Sequence, residues 1–242
     1  MRFGFIGAGP MATNIAKKLA KNGHEIKIAD ARGIERLAGK ELAGKPVPVQ
    51  EVITDIDVLI VSIPLNALPS IRGMIEQVGE DVIIVDTSNY YPVRDGEMEE
   101  IENGMLESEW VSKQLGRPII KAFNNLLAYT LEYKGTPEGT NGRIAISIAG
   151  DNEQHKQIIM NVVNEVGFDP VDGGSLSDSW RQQPGTPGYC TELTKAELTA
   201  ALQKAIKEKA RFQRNLVLEK LSAFTEGFTH QDLVNLNREL QV

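Results

Sequence analysis

Cysteine occurs once, at Cys190, and histidine three times in 242 residues. One thiol rules out an internal disulfide, and so few nitrogen and sulfur donors leave no Cys/His cluster for structural zinc. No apolar run approaches the roughly 20 residues that a membrane helix needs, so no span is expected. Basic residues are outnumbered, 26 against 33 acidic, for a formal charge of −7. Phosphate neutralisation along a nucleic acid needs a basic face, so nucleic-acid binding is not expected. The opening "FGFIGAGP" is too short for a secretory apolar region and is broken by glycines, which predicts a cytoplasmic protein with small-molecule partners. Hydrophobic residues at 41% and charged residues at 24% fit an ordinary globular chain, long enough to bury a substantial core.

Short apolar runs bounded by turn residues recur between helix-like segments: Arg2–Gly7, Glu25–Ala29, Val58–Ile63, Val82–Asp86, Pro118–Ala122, Arg143–Ala149 and Gly167–Val171. This is a βαβ rhythm. Runs such as "VLIVSI" and "VIIV" lack polar alternation, as in strands covered on both faces, and predict an α/β, doubly wound, mainly parallel sheet. Met11–Lys21 reads as a helix stopped by Asn22-Gly23. Asp151 is placed as the N-cap of a second helix carrying Ile158, Ile159, Val162, Val163 and Val166 and ending at Gly167. After residue 172 the texture changes to the loop-forming "GGSLSDSWRQQPGTPGYC", a length at which loops are often functional. A capping box from Thr194 to Glu197 then opens a helical segment with Leu198, Leu202, Ile206 and Phe212 as its apolar positions. The charges of "KAIKEKARFQR" read as a solvated helix face.

The turn Gly7-Ala8-Gly9-Pro10-Met11-Ala12 after the first strand is a G-x-G-x-x-A form of the dinucleotide fingerprint. Gly7 permits the tight turn, Gly9 lets backbone approach a pyrophosphate, and Ala12 allows close helix-to-strand packing. Donors at the helix start favour the anion, supplied by neighbours of Pro10 such as Met11, because proline has no N–H. A bare glycine turn is the alternative, and the position at the first strand of a βαβ chain argues for the ligand. The division that follows is a dinucleotide-binding domain over 1–175 and a loop plus small helical appendage over 176–242.

At the end of the second strand two signals conflict. Asp30 suits the ribose diol of NAD, whereas Arg32 and Arg36 suit the 2′-phosphate of NADP. If Asp30 points away along the strand, the arginines prevail, and their spacing of four places both on one face of a helical turn. NADP is favoured. Three more strand ends complete the crevice, since ligands of open α/β sheets lie outside the carboxyl ends of strands. They are Ser62-Ile63-Pro64, Thr87-Ser88-Asn89, and Ala122 with Phe123, Asn124 and Asn125. Thr87, Ser88 and Asn124 can donate to phosphate, ribose or carboxamide, and Ile63 and Pro64 can wall a nicotinamide. Phe123 reads as core, and Asn124 is the candidate active-site residue.

In order, "GFIGAGPMA", "ARGIER", "VSIPL", "DTSNYY", "IKAFNN", "ISIAGDNE" and "DGGSLSDSW" resemble the NADP-dependent oxidoreductases typified by the NADPH-dependent reductase of the deazaflavin coenzyme F420. The N-terminal oxidoreductase domain of the STEAP-type metalloreductases is similar. The resemblance covers about residues 1–180 and implies a Rossmann-type fold. It also implies that backbone at Gly9, Pro10 and Met11, beside Ala8, holds the pyrophosphate. Ala31, Arg32 and Arg36 would hold the 2′-phosphate, and Ser62 to Pro64 the nicotinamide ribose side. The family often has serine where this chain has Ala31.

Hydride transfer to a deazaflavin, flavin or similar co-substrate needs chiefly positioning and exclusion of water, with no obligatory acid or base. That suits a chain in which His24, His155 and His230 read as structural or solvated and Cys190 as a bystander. Trp180, Arg181 and "PGTPGYC" either cover the acceptor, reach a neighbouring subunit, or form a packed surface loop. A non-catalytic NAD(P)(H)-binding sensor on the same fold is the alternative function. An ordinary hydroxyacid dehydrogenase is disfavoured, since the chain after the sheet is short for the usual second domain. Base rates favour a homodimer through the C-terminal helices.

Overall fold

The unalternated apolar runs become the strands of a computed structural model that describes residues 1–222 and 227–240. In chain order the first half contains β1 (Arg2–Ile6), α1 (Pro10–Lys21), β2 (Glu25–Ala29), β3 (Lys45–Pro46), β4 (Val58–Val61), α2 (Arg72–Ile75) and β5 (Ile83–Asp86). Then come the short α3 (Pro92–Asp95) and α4 (Glu99–Glu102), α5 (Glu107–Leu115), β6 (Ile120–Lys121), α6 (Ala128–Tyr133), β7 (Ala145–Ile148), α7 (Glu153–Glu165) and β8 (Asp169–Asp172). The C-terminal helices are α8 (Lys195–Lys204), α9 (Lys207–Ser222) and α10 (His230–Leu240).

Six strands form one sheet in the order β3-β2-β1-β4-β5-β6, with every pair parallel. β1 lies between β2 and β4, so the winding direction reverses there, which makes the carboxyl end of β1 the crevice of a doubly wound sheet. β7 and β8 pair parallel to each other, and β7 meets β6 through an antiparallel bridge between Lys121 and Ala149. Each face of the sheet has its own core. Phe3, Phe5, Ile28, Ile60 and Val85 pack under α1 and α7, and Ile6, Leu59, Val61 and Ile84 pack under α5 with Trp110, Val111 and Leu115. Strands buried on both faces are therefore apolar throughout, as β4 and β5 show apart from Asp86.

Three local expectations are corrected. The N-cap of α7 is Asn152, whose side chain accepts from the His155 amide at 3.0 Å; Asp151 accepts instead from the Leu176 amide at 2.8 Å. Ile206 and Phe212 are exposed at 47% and 67%, because α8 stops at Lys204 and α9 restarts at Lys207, which breaks the helical phase carrying Leu198 and Leu202 inward. The segment after residue 172 contains a 3₁₀ turn, Leu176–Gln182, closed by a Ser175/Asp178 capping box. The Thr194/Glu197 box does cap α8, which packs Leu198 and Leu202 on Ala145 of β7 and Val171 of β8. Residues 223–226 and 241–242 of the expected appendage lie outside the described residues. No helix among the described residues is long and apolar enough to cross a membrane.

Candidate functional site

β1 runs directly into the glycine turn, and its two glycines do different work. Gly7 has φ +110°, and a Cβ there would lie 2.2 Å from the Ser62 carbonyl oxygen, so the ends of β1 and β4 can approach only over a bare backbone. Gly9 has φ −80°, open to any residue, and a Cβ there would meet nothing within 4 Å. The space beside Gly9 is therefore not filled by the chain itself. Gly9 is the N-cap of α1, Pro10 follows, and no side chain caps the helix. Donors of the first turn, such as Met11, have no partner within a helix and, with the dipole, favour an anion.

This open space belongs to a cleft of about 450 Å³ at the winding reversal. Gly7, Ala8 and Gly9 line it from the turn, Asp30, Ala31 and Arg32 from the end of β2, and Ser62, Ile63 and Pro64 from the end of β4. Eight sequence-predicted residues thus meet in one place, and Asp30 with them. Lys40, Asn66 and Ala67 complete the wall and were not predicted. Lys40 donates to the Ala8 carbonyl at 3.3 Å across 32 positions of chain, and a lone lysine in "LAGKEL" carries no sign of that reach.

Asp30 does not point away from the arginines. Its carboxylate accepts from the Arg32 amide at 2.9 Å and from Arg32 Nε at 3.3 Å, and Arg36 Nε lies 4.0 Å from it. Burial pushes the Asp30 carboxyl up, but the bonds from Arg32 and the charges of Arg32 and Arg36 outweigh it and hold the group below the usual range. Arg36 sits in a 3₁₀ turn, Ile34–Leu37, and Arg32 precedes it, so the two are gathered by their shared carboxylate and not by a helix face. Three cations, Arg32, Arg36 and Lys40, stand against one carboxylate, and the surplus positive charge suits phosphate.

The remaining predicted residues, Pro10, Met11 and Arg36 among them, are not in the lining of the cleft. Thr87 Oγ1 donates to Ser62 Oγ at 2.9 Å and so braces the cleft wall from β5. Ser88 is buried, its amide bonded to Asp86 Oδ1 at 3.0 Å and its hydroxyl without a partner. Ala122 and Phe123 are fully buried in the core, Phe123 with φ +61°. Asn124, read as the active-site residue, is 2% exposed. Its Nδ2 donates to Asn89 Oδ1 at 3.0 Å and to the Gln182 carbonyl at 2.9 Å, and its Oδ1 accepts from Gln182 Nε2 at 2.8 Å. The structure places it in a knot joining β5, β6 and the 3₁₀ turn, not in the cleft wall.

Beneath this knot lies a group of buried charges that sequence reading missed. Lys121 Nζ is 2.6 Å from Asp86 Oδ2 and also donates to the Ser88 carbonyl. Glu107, at the start of α5, accepts from the Tyr90 amide at 3.0 Å, and burial pushes its carboxyl up to about 7 against the pull of Lys121 and that amide. Between the ordinary value of 4.5 and about 7, the native chain holds a proton that the unfolded chain has released. Stability is therefore expected to fall as pH rises across that window, by about 3 kcal/mol. Urea unfolding of Glu107→Gln should lose this slope and exceed the parent in stability at pH 8; an unchanged slope would place the titration elsewhere.

His24 pairs with Glu165 and His230 with Glu192, each at 2.7 Å, and neither lines the cleft. Burial pushes the Cys190 thiol up to about 12, which keeps it unreactive. Arg181 stacks on Trp180 and donates to the Leu202 carbonyl at 3.1 Å. No group of three or more His, Cys, Asp or Glu among the described residues can hold a metal.

The glycine turn and the first strands fall within the stretch that the chain shares with known proteins. Residues 2–90 match the family model described as NADP oxidoreductase, coenzyme F420-dependent. Protein YjhV of Escherichia coli (strain K12) is 37% identical over 110 residues, 46% of this chain and 80% of that protein. Metalloreductase STEAP3 of Rattus norvegicus is 26% identical over 180 residues, 74% of this chain, which spans only 35% of that protein. Among solved structures, hypothetical protein SMa0349 from Sinorhizobium meliloti superposes with a TM-score of 0.67 at 26% identity, over 81% of this chain and 96% of that one. A protein from Arthrobacter sp. FB24, described as an F420-dependent NADP-reductase by assignment only, shares the fold with a TM-score of 0.62 at 17% identity, over 74% and 87% of the two chains. With its glycine turn, parallel sheet and relatives in agreement, the chain belongs to the NADP oxidoreductase, coenzyme F420-dependent, family.

Proposed function

We propose that the protein is an NADP(H)-dependent oxidoreductase that passes hydride between the nicotinamide and a small acceptor of deazaflavin, flavin or other ring type. The observation that supports this most is the cleft at the winding reversal, with empty space at Gly9 and cations in excess at the end of β2. In this reading backbone at Gly9, Pro10 and Met11 receives the pyrophosphate, and Ser62, Ile63 and Pro64 receive the nicotinamide half. Ala31 offers only its backbone, so Arg32 and Arg36 carry the 2′-phosphate, with Lys40 adding charge from the opposite lip. The bound dinucleotide supplies or takes the hydride.

Asp30 supports a second, weaker use of the same cleft. Released from Arg32, its carboxylate suits the ribose diol of NADH. The two uses separate in one experiment. Arg32→Ala is expected to weaken NADPH by about 1.5–3 kcal/mol in calorimetry, the worth of a charge-assisted pair. NADH should be unaffected or bind more tightly, because Asp30 is freed. Equal losses for both forms would remove the 2′-phosphate assignment.

A further inference from the structure

The cations at and beside the dinucleotide cleft are not held alike. Arg32 and Arg36 share the Asp30 carboxylate at the end of β2, Arg32 through bonds to Oδ1 at 2.9 and 3.3 Å. Lys40 has no carboxylate partner among the described residues, and its ammonium rests instead on the Ala8 carbonyl at 3.3 Å. Its side chain is exposed, but its backbone is anchored, because the Lys40 amide donates to the carbonyl of the buried Leu37 at 3.2 Å. The lysine therefore reaches from the loop before β3 to the glycine turn, and both it and the turn line the cleft.

The glycine turn is short of positive charge. Each phosphate of a pyrophosphate is negative, yet the start of α1, Pro10-Met11-Ala12-Thr13, carries no basic side chain and lacks one N–H at Pro10. The lysines of α1 begin at Lys17, about two helical turns farther on. Ala8 precedes Gly9, whose open side no atom of the chain fills. A cation resting on Ala8 is thus one residue from that space, whereas Arg32 and Arg36 are held at the end of β2. Moving to a ligand also costs the two kinds of cation differently. Arg32 must leave a carboxylate, while Lys40 exchanges a neutral carbonyl for a charged oxygen, a bond roughly twice as strong.

We infer that Lys40 is the cation of the pyrophosphate: it leaves the Ala8 carbonyl for a phosphate oxygen when the dinucleotide enters, and so strengthens NADPH and NADH alike without choosing between them. This rests on the dinucleotide-binding reading above and divides the cations by duty. Arg32 and Arg36 serve the 2′-phosphate, which only NADPH has, and Lys40 serves the group that both dinucleotides share.

Calorimetry with NADPH and NADH on Lys40→Met, Arg32→Ala and the double variant tests the division. Lys40→Met keeps a long side chain without the charge, and its urea unfolding should match the parent's because the position is exposed. Its NADPH affinity should fall by at least about tenfold, the worth of a charge-assisted bond, and its NADH affinity by the same factor. Lys40→Arg, which restores the charge, should recover most of the loss. In the double variant the two NADPH losses should multiply, as they do for residues that share no partner. Lys40→Met that binds NADPH as the parent does overturns the assignment. So does a loss that spares NADH, or a double variant that loses less than the product, since both cations would then serve one phosphate. If NADH binds the parent too weakly to titrate, the double variant decides alone. A parent that binds neither dinucleotide refutes the oxidoreductase reading itself, a failure distinct from the others.

Discussion

Lys121→Ala is expected to cost about 3–5 kcal/mol of folding stability, the usual loss when one partner of a buried ion pair is removed. Lys121 is 1% exposed and Asp86 0%, so no water reaches the carboxylate that alanine would strand. Asp86 Oδ1 already accepts from the Ser88 amide, and its Oδ2 depends on Lys121 alone for an opposite charge at 2.6 Å. The Ser88 carbonyl would lose its lysine donor at the same time. Urea denaturation measures the loss, and a cost below about 1 kcal/mol would mean that solvent reaches the pair. The double replacement Asp86→Asn, Lys121→Met should recover most of the stability, because a neutral pair of similar volume removes the desolvation cost along with the attraction. The charges also clamp the backbone at Ser88, next to the Thr87 hydroxyl that braces Ser62. Dinucleotide affinity in Lys121→Ala should therefore fall along with stability, and part of it should return in the double variant.

The elements that were legible are those whose chemistry is local. "VLIV" and "IIVD" could only be strands covered on both faces, because no alternation offers a solvated side. Gly7 and Gly9 carry their roles in the spacing of the turn, and Arg32 follows a strand end. β3 was not legible, since two residues, one of them Pro46, have no period to read. The polar knot was not legible either. Asn89, Asn124 and Gln182 each look like loop residues, and only the fold brings the strand ends and the 3₁₀ turn together. Asn124 was given a ligand role because a polar residue at a strand end suggests one, and burial then used up its donors and acceptor inside the chain. Tyr91 and Tyr189, whose hydroxyls lie 2.6 Å from each other, are 98 positions apart, and nothing in either segment announces the other. Asp30 and Arg32 are adjacent enough to read, but which way the carboxylate turns is decided by the Arg32 amide and guanidinium that it accepts from in the folded turn. The strands and their parallel, doubly wound arrangement therefore followed from patterning, whereas the pairing of polar groups followed from topology.

The two glycines of the turn allow packing and binding to be tested separately. Gly7→Ala is expected to cost about 3–5 kcal/mol: the Cβ would sit 2.2 Å from a backbone oxygen that cannot swing aside, at a φ of +110° that side chains rarely adopt. Gly9→Ala has neither problem, since its φ of −80° is ordinary and its Cβ would meet no atom of the chain. Its thermal and urea stability should stay within about 1 kcal/mol of the parent, the span of N-cap preferences. Its NADPH affinity should nevertheless drop by at least about tenfold, because the added carbon occupies the space through which the backbone approaches the pyrophosphate. If Gly9→Ala binds NADPH as the parent does, the space beside Gly9 is not the pyrophosphate's, and the cleft assignment fails at its centre. If Gly7→Ala folds normally, the contact between the ends of β1 and β4 is looser than described. Only stability lost at Gly7 together with binding lost at Gly9 fits a turn whose first glycine joins two strands and whose second makes room for a ligand.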